Sequence, residues 1–366
     1  MLILGSQSKV RYQLLRLYNA EIKVMVANID ETFNENLGIK ENVKLIAKRK
    51  ADNILESIKL DDDILVCADT VVIVNGKYFT KPNDFDEAYA MVKSFSCNQV
   101  QVVTGVYLQY LDVVENFFEV STITFPELTK ETILNYLNDN DNCLEIAGAL
   151  AIEKIGAYVD FNIEGSVSNV MGLPMETISQ LLSDNNSDNV LYTTNKIDPI
   201  NIYRSSVRCV IIENDQVILL NGYTFDLKDT FLMTIGGGYH CFEDKPTIMK
   251  KEAIEEGGLL LDNLRYLGQM KEYTKQQRYI NYNKLTLHTY YLADVVDYTC
   301  SHYVEYEKKL LIGLERFSLN EAISRLEKQV AYYKAKSSQI EQMTSCDLQA
   351  LMIVRDQYLL KSEKRP

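Results

Sequence analysis

Three consecutive glycines, Gly236, Gly237 and Gly238, lead through a short loop with Glu243 to Lys251, Glu252, Ala253, Ile254, Glu255, Glu256, Gly257, Gly258 and Leu259. No other stretch restricts the possible folds as much. Pro246 at its start and glycine after its end mark a helix. Residues three and four apart share a helix face, so Glu252, Glu255 and Glu256 are expected on one side. Like charges held together repel unless a cation lies between them, and a hard divalent ion such as Mg²⁺ or Mn²⁺ suits oxygen ligands. The glycines let the backbone turn tightly and keep side chains away from a bound ligand, which makes Gly237 a candidate substrate contact. Taken alone, a glutamate-rich turn ending in Gly-Gly is more often a solvated helix with a C-cap.

The spacing of Gly237, Glu243, Glu252, Glu255, Glu256 and Gly258 resembles the Nudix box, the metal-binding loop-helix of hydrolases that cleave nucleoside diphosphates linked to another group. The resemblance implies metal ligation by Glu252, Glu255 and Glu256, with Glu252 also catalytic. Lys251 stands where that family has an arginine that orients a catalytic glutamate, and lysine lacks the planar fork. His240 and Phe242 replace a usual glutamate and glycine in the loop.

At the other end, Leu2 to Leu4 is expected as a buried strand, followed by Gly5, Ser6, Gln7 and Ser8 and an amphipathic helix with Leu14, Leu15 and Leu17. A strand, a small polar loop and a helix N-terminus make a phosphate cradle, to which Lys9 and Arg11 add charge. By itself this segment is better read as an ordinary loop with a serine N-cap. Ile22 to Val26 is expected as a strand and Glu41 to Ile58 as a helix. Ile64 to Val74 is an apolar run broken only by Asp69 and Thr70, and a carboxylate buried in a strand is costly unless paired or metal-bound, so Asp69 is a site candidate. Asn75-Gly76 marks a hairpin turn before Lys81-Pro82.

In this order the blocks resemble the Maf family of nucleoside triphosphate pyrophosphatases. The resemblance rests on Leu2 to Ser8, Asn28-Ile29-Asp30-Glu31, Ala47 to Ala51, Ala68-Asp69-Thr70, Lys81-Pro82, Thr104-Gly105-Val106, Ala147-Gly148-Ala149 and Glu164 to Pro174, across residues 2 to about 182. It implies hydrolysis between the α and β phosphates with a divalent metal. Ser6, Ser8 and Arg11 would hold phosphates, Lys50 and Lys81 would stabilise developing charge, and Glu31 and Asp69 would bind metal or activate water. Thr70 matches pyrimidine-preferring members. Glu153 matches the branch that takes 7-methylguanosine triphosphate, and Val10 stands where pyrimidine-preferring members carry a second arginine, so no base is assigned. Ile146 replaces a family lysine, and Cys97-Asn98 a glycine-arginine pair.

The net charge of −13 argues against a sequence-independent nucleic-acid binder, which needs a basic footprint. Seven cysteines without a Cys-x-x-Cys pair indicate neither zinc nor a redox motif, and their odd number fits a reducing compartment. No run is long enough for a signal peptide or membrane span, so a cytoplasmic protein without membrane partners is expected. Ser183 to Asn189 is polar and linker-like. The expected architecture is therefore α/β and α+β: a mixed α/β domain over 1–183, a linker over 184–199, and an α/β/α sandwich over 200–366. Asn320 to Leu359 is helical with a break near Ser337-Ser338, and either packs on that domain or mediates self-association, so a homodimer is a possible partner arrangement. His288 is expected as a strand residue, and His240, His288 and His302 show no ligand spacing. The expected function is metal-dependent hydrolysis of nucleotides by both domains in nucleotide-pool house-cleaning. The alternative is that one domain has lost catalysis and acts as a nucleotide sensor.

Overall fold

The computed structural model describes residues 1–18, 21–61, 63–183, 189–225, 227–277, 281–300 and 311–362. His302 and residues 184–188 of the expected linker lie outside them. The chain divides into two compact units, Met1–Ile178 and Ser179–Pro366.

The first unit begins with β1 (Leu2–Leu4), α1 (Lys9–Tyr18), β2 (Ile22–Val24), α2 (Ile39–Leu55), β3 (Ile64–Val74) and β4 (Lys77–Phe79). It continues with α3 (Phe85–Phe95), β5 (Gln99–Tyr110), β6 (Val113–Thr124), α4 (Lys130–Asn138), α5 (Ile152–Ile155), β7 (Asn162–Glu164) and α6 (Val167–Val170). The unit boundary falls inside α7 (Met175–Leu182). The sheet runs β2-β1-β3-β5-β6-β7, with β4 on β3. Its first three strands are parallel, and β3, β5, β6 and β7 alternate. Asn75 and Gly76 take φ of 49° and 76°, the left-handed pair that a tight hairpin needs.

Helix α2 buries Val43, Ile46, Ala47, Ala51 and Ile54, and each of the larger side chains contributes roughly 1.5–3 kcal/mol. The helix lies directly on β5. A Cβ at Gly105 would come within 2.3 Å of the Val43 carbonyl carbon, so only glycine admits this approach. Gly105 pairs with Asp69 across β3 and β5, and the same approach therefore brings Lys50 of α2 down to Asp69.

The second unit contains β8 (Val190–Thr193), β9 (Ile202–Glu213), β10 (Gln216–Thr224), β11 (Asp229–Met233), β12 (Gly238–Tyr239) and α8 (Lys245–Gly257). It closes with β13 (Leu259–Gln277), β14 (Asn281–Tyr298), β15 (Leu311–Ser318), α9 (Leu319–Ala335) and α10 (Ile340–Ser362). The sheet order is β11-β10-β9-β14-β13-β8, with β12 on β9 and β15 on β10. Within the stretch expected to be a linker, Val190–Thr193 instead joins this sheet, parallel to β13. Alternation along β9 serves two cores. Val207, Cys209 and Ile211 pack with Met249 and Ala253 of α8. Val210 packs with Ala322, Ile323 and Leu326 of α9 and Leu351 and Val354 of α10. The helical C-terminal stretch thus packs on its own sheet, which completes an α/β/α sandwich.

A polar layer interrupts the α9–α10 face. Arg208 Nε lies 3.0 Å from Asp347 Oδ1 and donates to Thr234 Oγ1 at 2.8 Å, while the Tyr290 hydroxyl donates to Asp347 at 2.7 Å. Burial works against the Arg208 charge, but Asp347 together with Tyr290, Glu256 and Glu272 more than offsets it and raises its pKa. Beside this group, His288 Nε2 stands 2.7 Å from Glu272 and its Nδ1 2.5 Å from Ser206 Oγ, all three buried. A carboxylate only accepts, so Nε2 carries the proton and Nδ1 accepts from the serine. Burial lowers the His288 pKa; burial also pushes Glu272 up, but its hydrogen bond with His288 and the nearby charges of His288, Lys284 and Arg208 together hold it down. Both groups therefore bind protons more weakly folded than unfolded, and stability is lost on acidification. The urea midpoint of the second unit is expected to fall as pH drops below about 6.5, where unfolded histidine takes up its proton, and further below about 4.3. A midpoint that holds level from pH 7 to 5 would rule this out. Among the described residues no helix is long and apolar enough to cross a membrane.

Candidate functional site

In the first unit the loop after β1 and the start of α1 carry Ser6, Ser8 and Arg11. Ser8 Oγ accepts from the Arg11 N–H at 3.3 Å, the cap expected of an ordinary helix start. The Arg11 side chain turns inward. Its Nε donates to the Gly172 carbonyl at 2.7 Å, Nη1 to Ala68 O at 2.9 Å and Ser6 Oγ at 3.2 Å, and Nη2 to Thr70 Oγ1 at 2.8 Å. Four of the five guanidinium N–H groups are thereby committed to the protein. Burial lowers the Arg11 pKa, with Asp69 and Glu31 opposing it.

Next to this clamp, Lys50 Nζ lies 2.9 Å from Asp69 Oδ1 and 3.3 Å from Glu31 Oε2. Lys50 and Asp69 are buried, whereas the Glu31 side chain is 56% exposed. Cys67, one strand position from Ala68, is pushed up to about 12 by burial, with Lys50 and Arg11 pulling the other way. Seven candidate residues, Ser6, Ser8, Arg11, Glu31, Lys50, Asp69 and Thr70, therefore meet around the end of β1 and the middle of β3. Lys81 is exposed beyond β4 and makes no ion pair among the described residues; Glu153 is exposed on α5. Three participants were not singled out from sequence: the Gly172 carbonyl, Thr104, which shares a 3.0 Å hydrogen bond with Thr70, and Asn169, whose carbonyl accepts from Thr104. All three sit in blocks that carried the family resemblance.

In the second unit, Asp244 caps α8 by accepting from the Thr247 N–H, and Gly258 ends it in the left-handed conformation. The Glu252 carboxyl lies against Gly237, where a Cβ would stand 2.2 Å from it. Glu256 Oε2 accepts from the Gly236 N–H at 3.0 Å, and Glu243 accepts from the His240 N–H at 2.6 Å. Glu255 Oε1 lies 3.6 Å from Lys251 Nζ. Glu252 and Glu256, one turn apart, both meet the glycine loop, while Glu255 lies on the Lys251 edge of the same side. Among the described residues no three His, Cys, Asp or Glu side chains stand close enough to hold a metal by themselves. His240 is held down to about 4, chiefly by burial.

A family model described as Maf-like protein matches residues 1–185, half of the chain. The chain belongs to the Maf family. Proteins named dTTP/UTP pyrophosphatase align with this Maf half. One from Thermosipho africanus is 35% identical over 183 residues, covering 50% of this chain and 92% of the relative. Another from Bacillus velezensis is 33% identical over 185 residues, covering 50% and 96%. A third from Halalkalibacterium halodurans is 36% identical over 174 residues, covering 48% and 90%. Membership makes the chain a nucleotide hydrolase, the class of reaction that those names share. Among solved structures, a NUDIX hydrolase from Nitrosomonas europaea is 14% identical and covers 42% of this chain and 88% of its own, with a TM-score of 0.30. A MutT NUDIX hydrolase from Burkholderia pseudomallei is 15% identical and covers 32% and 84%, with a TM-score of 0.24. For the half beyond the Maf match, the reading rests on its own residues.

Proposed function

We propose that the Maf half hydrolyses a nucleoside triphosphate between the α and β phosphates, releasing the monophosphate and pyrophosphate. The observation that carries this is the buried Lys50–Asp69 pair, with Glu31 on its open side, beside a serine loop at a helix N-terminus. The first turn of α1 offers backbone N–H groups to a phosphate, and Ser6, Ser8 and Arg11 line the same loop. Lys50 answers the charge that develops in the transferred group, and Lys81 reaches the leaving pyrophosphate from the exposed side. Glu31, the more open carboxylate, takes the proton of the attacking water; Asp69 fixes Lys50. Two carboxylates beside a phosphate site suit Mg²⁺ or Mn²⁺, which keep water and phosphate oxygens as further ligands, and Glu31 and Asp69 would hold that ion. When bound, the ion supplies charge neutralisation and a more acidic water. dTTP and UTP are the first substrates to test, because relatives at 33–36% identity carry those names.

In the second unit the Gly236-Gly237 loop against Glu252 and Glu256 supports a Nudix-type site for a nucleoside diphosphate linked to another group, with Glu252 catalytic and the same class of metal. Glu255 would have to leave Lys251 to join the ligands. House-cleaning of the nucleotide pool is the role that suits two such activities on one chain.

The deciding experiment measures pyrophosphate and phosphate release from dTTP, UTP, other triphosphates and nucleoside diphosphate derivatives with Mg²⁺ or Mn²⁺. Asp69→Asn and Glu256→Gln are run beside the intact protein. Loss of pyrophosphate release with Asp69→Asn but not Glu256→Gln is the expected result. If no triphosphate is cleaved, the Maf half is a nucleotide-binding module instead.

A further inference from the structure

The sheet of the first unit ends differently at its two edges. At one, β2 is three residues long and carries Lys23. At the other, β7 pairs with β6 only from Thr122 to Thr124, which leaves β6 a free outer edge from Val113 to Val120. Tyr110 and Val113 flank the Leu111-Asp112 turn and pair across it. Residues so placed in a hairpin exchange both hydrogen bonds, and peptide groups then alternate along the strand. Those of Val113, Glu115, Phe117 and Glu119 therefore point to β5, and those of Val114, Asn116, Phe118 and Val120 point outward. None of the outward groups has a backbone partner among the described residues.

Sheet edges are normally blunted by lysine, proline or a bulge. Val113 to Val120 contains neither residue, and its register with β5 runs unbroken. Val114 and Phe118 are 49% and 37% exposed. They share a face with Val120, the face of α2, where Lys40 lies 5.0 Å from the centre of the Phe118 ring.

Such an edge accepts another strand, and its own sequence fits it in one antiparallel register. Two copies paired about Glu115 would set Glu115 against itself, and paired about Phe117 would set Glu115 against Glu119. Like charges directly opposite destabilise a strand pair. Paired about Phe118, Val114 would need Thr122, which β7 occupies. Paired about Asn116, Glu115 faces Phe117, Glu119 faces Val113, Val114 and Phe118 cover each other, and the two Asn116 amides meet on the axis.

We propose that β6 pairs with β6 of a second copy of this chain, antiparallel about Asn116, joining the two first-unit sheets into one.

The test is sedimentation velocity of the full chain from about 1 to 100 μM. A species of twice 42.0 kDa is expected. Asn116→Pro removes an outward N–H that the single chain does not use, a position where a strand tolerates proline, and should raise the dimer Kd about tenfold or more. Val114→Lys should act in the same direction, and neither should shift the thermal midpoint at the lowest concentration. Register is read by disulfide capture, with the parent's own cysteines as control. Asn116→Cys brings two Cα atoms to about 5.5 Å, within bridging range, whereas residue 117 does not face itself. A linked dimer from Asn116→Cys but not from Phe117→Cys is expected. A parent that stays monomeric overturns the proposal, as does a dimer that Asn116→Pro and Val114→Lys leave intact, which would place association on another surface. Linkage through Phe117→Cys and not Asn116→Cys overturns the register.

Discussion

Asp69→Asn is expected to lower kcat for pyrophosphate release about a thousandfold, the scale seen when one preorganised charged or dipolar group is removed from a reaction centre. KM should change little, because the phosphate-facing groups on the β1–α1 loop are untouched. Asn keeps the shape and one oxygen within reach of Lys50, so what is removed is the charge that fixes Lys50 at 2.9 Å. Lys50 is then left with Glu31, which is mostly exposed and more weakly held. Steady-state pyrophosphate release from dTTP and UTP, paired with thermal unfolding, reads both consequences. A drop under about tenfold with the fold intact would take Asp69 out of the reaction.

The largest stability effect is expected at Asp347. Its side chain is 0% exposed and accepts from Arg208, Thr234 and Tyr290. Asp347→Ala leaves the Arg208 guanidinium buried without its counter-charge, and breaking a buried pair in this way costs about 3–5 kcal/mol. Removing both charges differs in kind: Arg208→Met with Asp347→Leu should recover much of the loss, since the apolar cluster around Val210, Leu292 and Leu351 surrounds the pair. Urea unfolding followed by far-ultraviolet circular dichroism, resolved for the second unit, distinguishes the two variants. A single-variant loss below about 1 kcal/mol would show that the pair contributes little.

Local chemistry was legible in the sequence wherever one segment decides its own conformation. Ile64 to Val74 forms β3 over the expected residues, and Asn75 and Gly76, with φ of 49° and 76°, turn β3 into β4. Asp244 and Gly258 bound α8 near the expected ends. The Lys50–Asp69 pair was approachable because each residue stood out separately, one in a basic run and the other in an apolar strand. Long-range pairings were not. Arg208 and Asp347 are 139 positions apart, and nothing near Arg208 signals that a helix C-terminal to the sheet will supply its carboxylate. His288 looked like a strand residue and is one, but its partners Glu272 and Ser206 depend on the registers of β13 and β9 against β14. Val190–Thr193 escaped notice because its apolar run, Val190, Leu191 and Tyr192, is only three residues long and directly follows a polar stretch. Glu255 was expected on one side with Glu252 and Glu256, and its 3.6 Å pairing with Lys251 is a side-chain contact that helix spacing permits but does not dictate.

The pairing of Ser206 with His288 and of Arg208 with Tyr290 along parallel β9 and β14 bears on folding fidelity. Strand side chains alternate between faces, so a slip of β9 by one residue would turn Arg208 and Ser206 toward α8, among Met249, Ala253 and Ile235. A guanidinium stranded in that apolar layer is far less favourable than one beside Asp347, whereas a purely aliphatic strand would tolerate the slip with modest loss. The buried polar row thus works as a proofreading device for strand alignment, rejecting near-native packings that hydrophobic contact alone would accept.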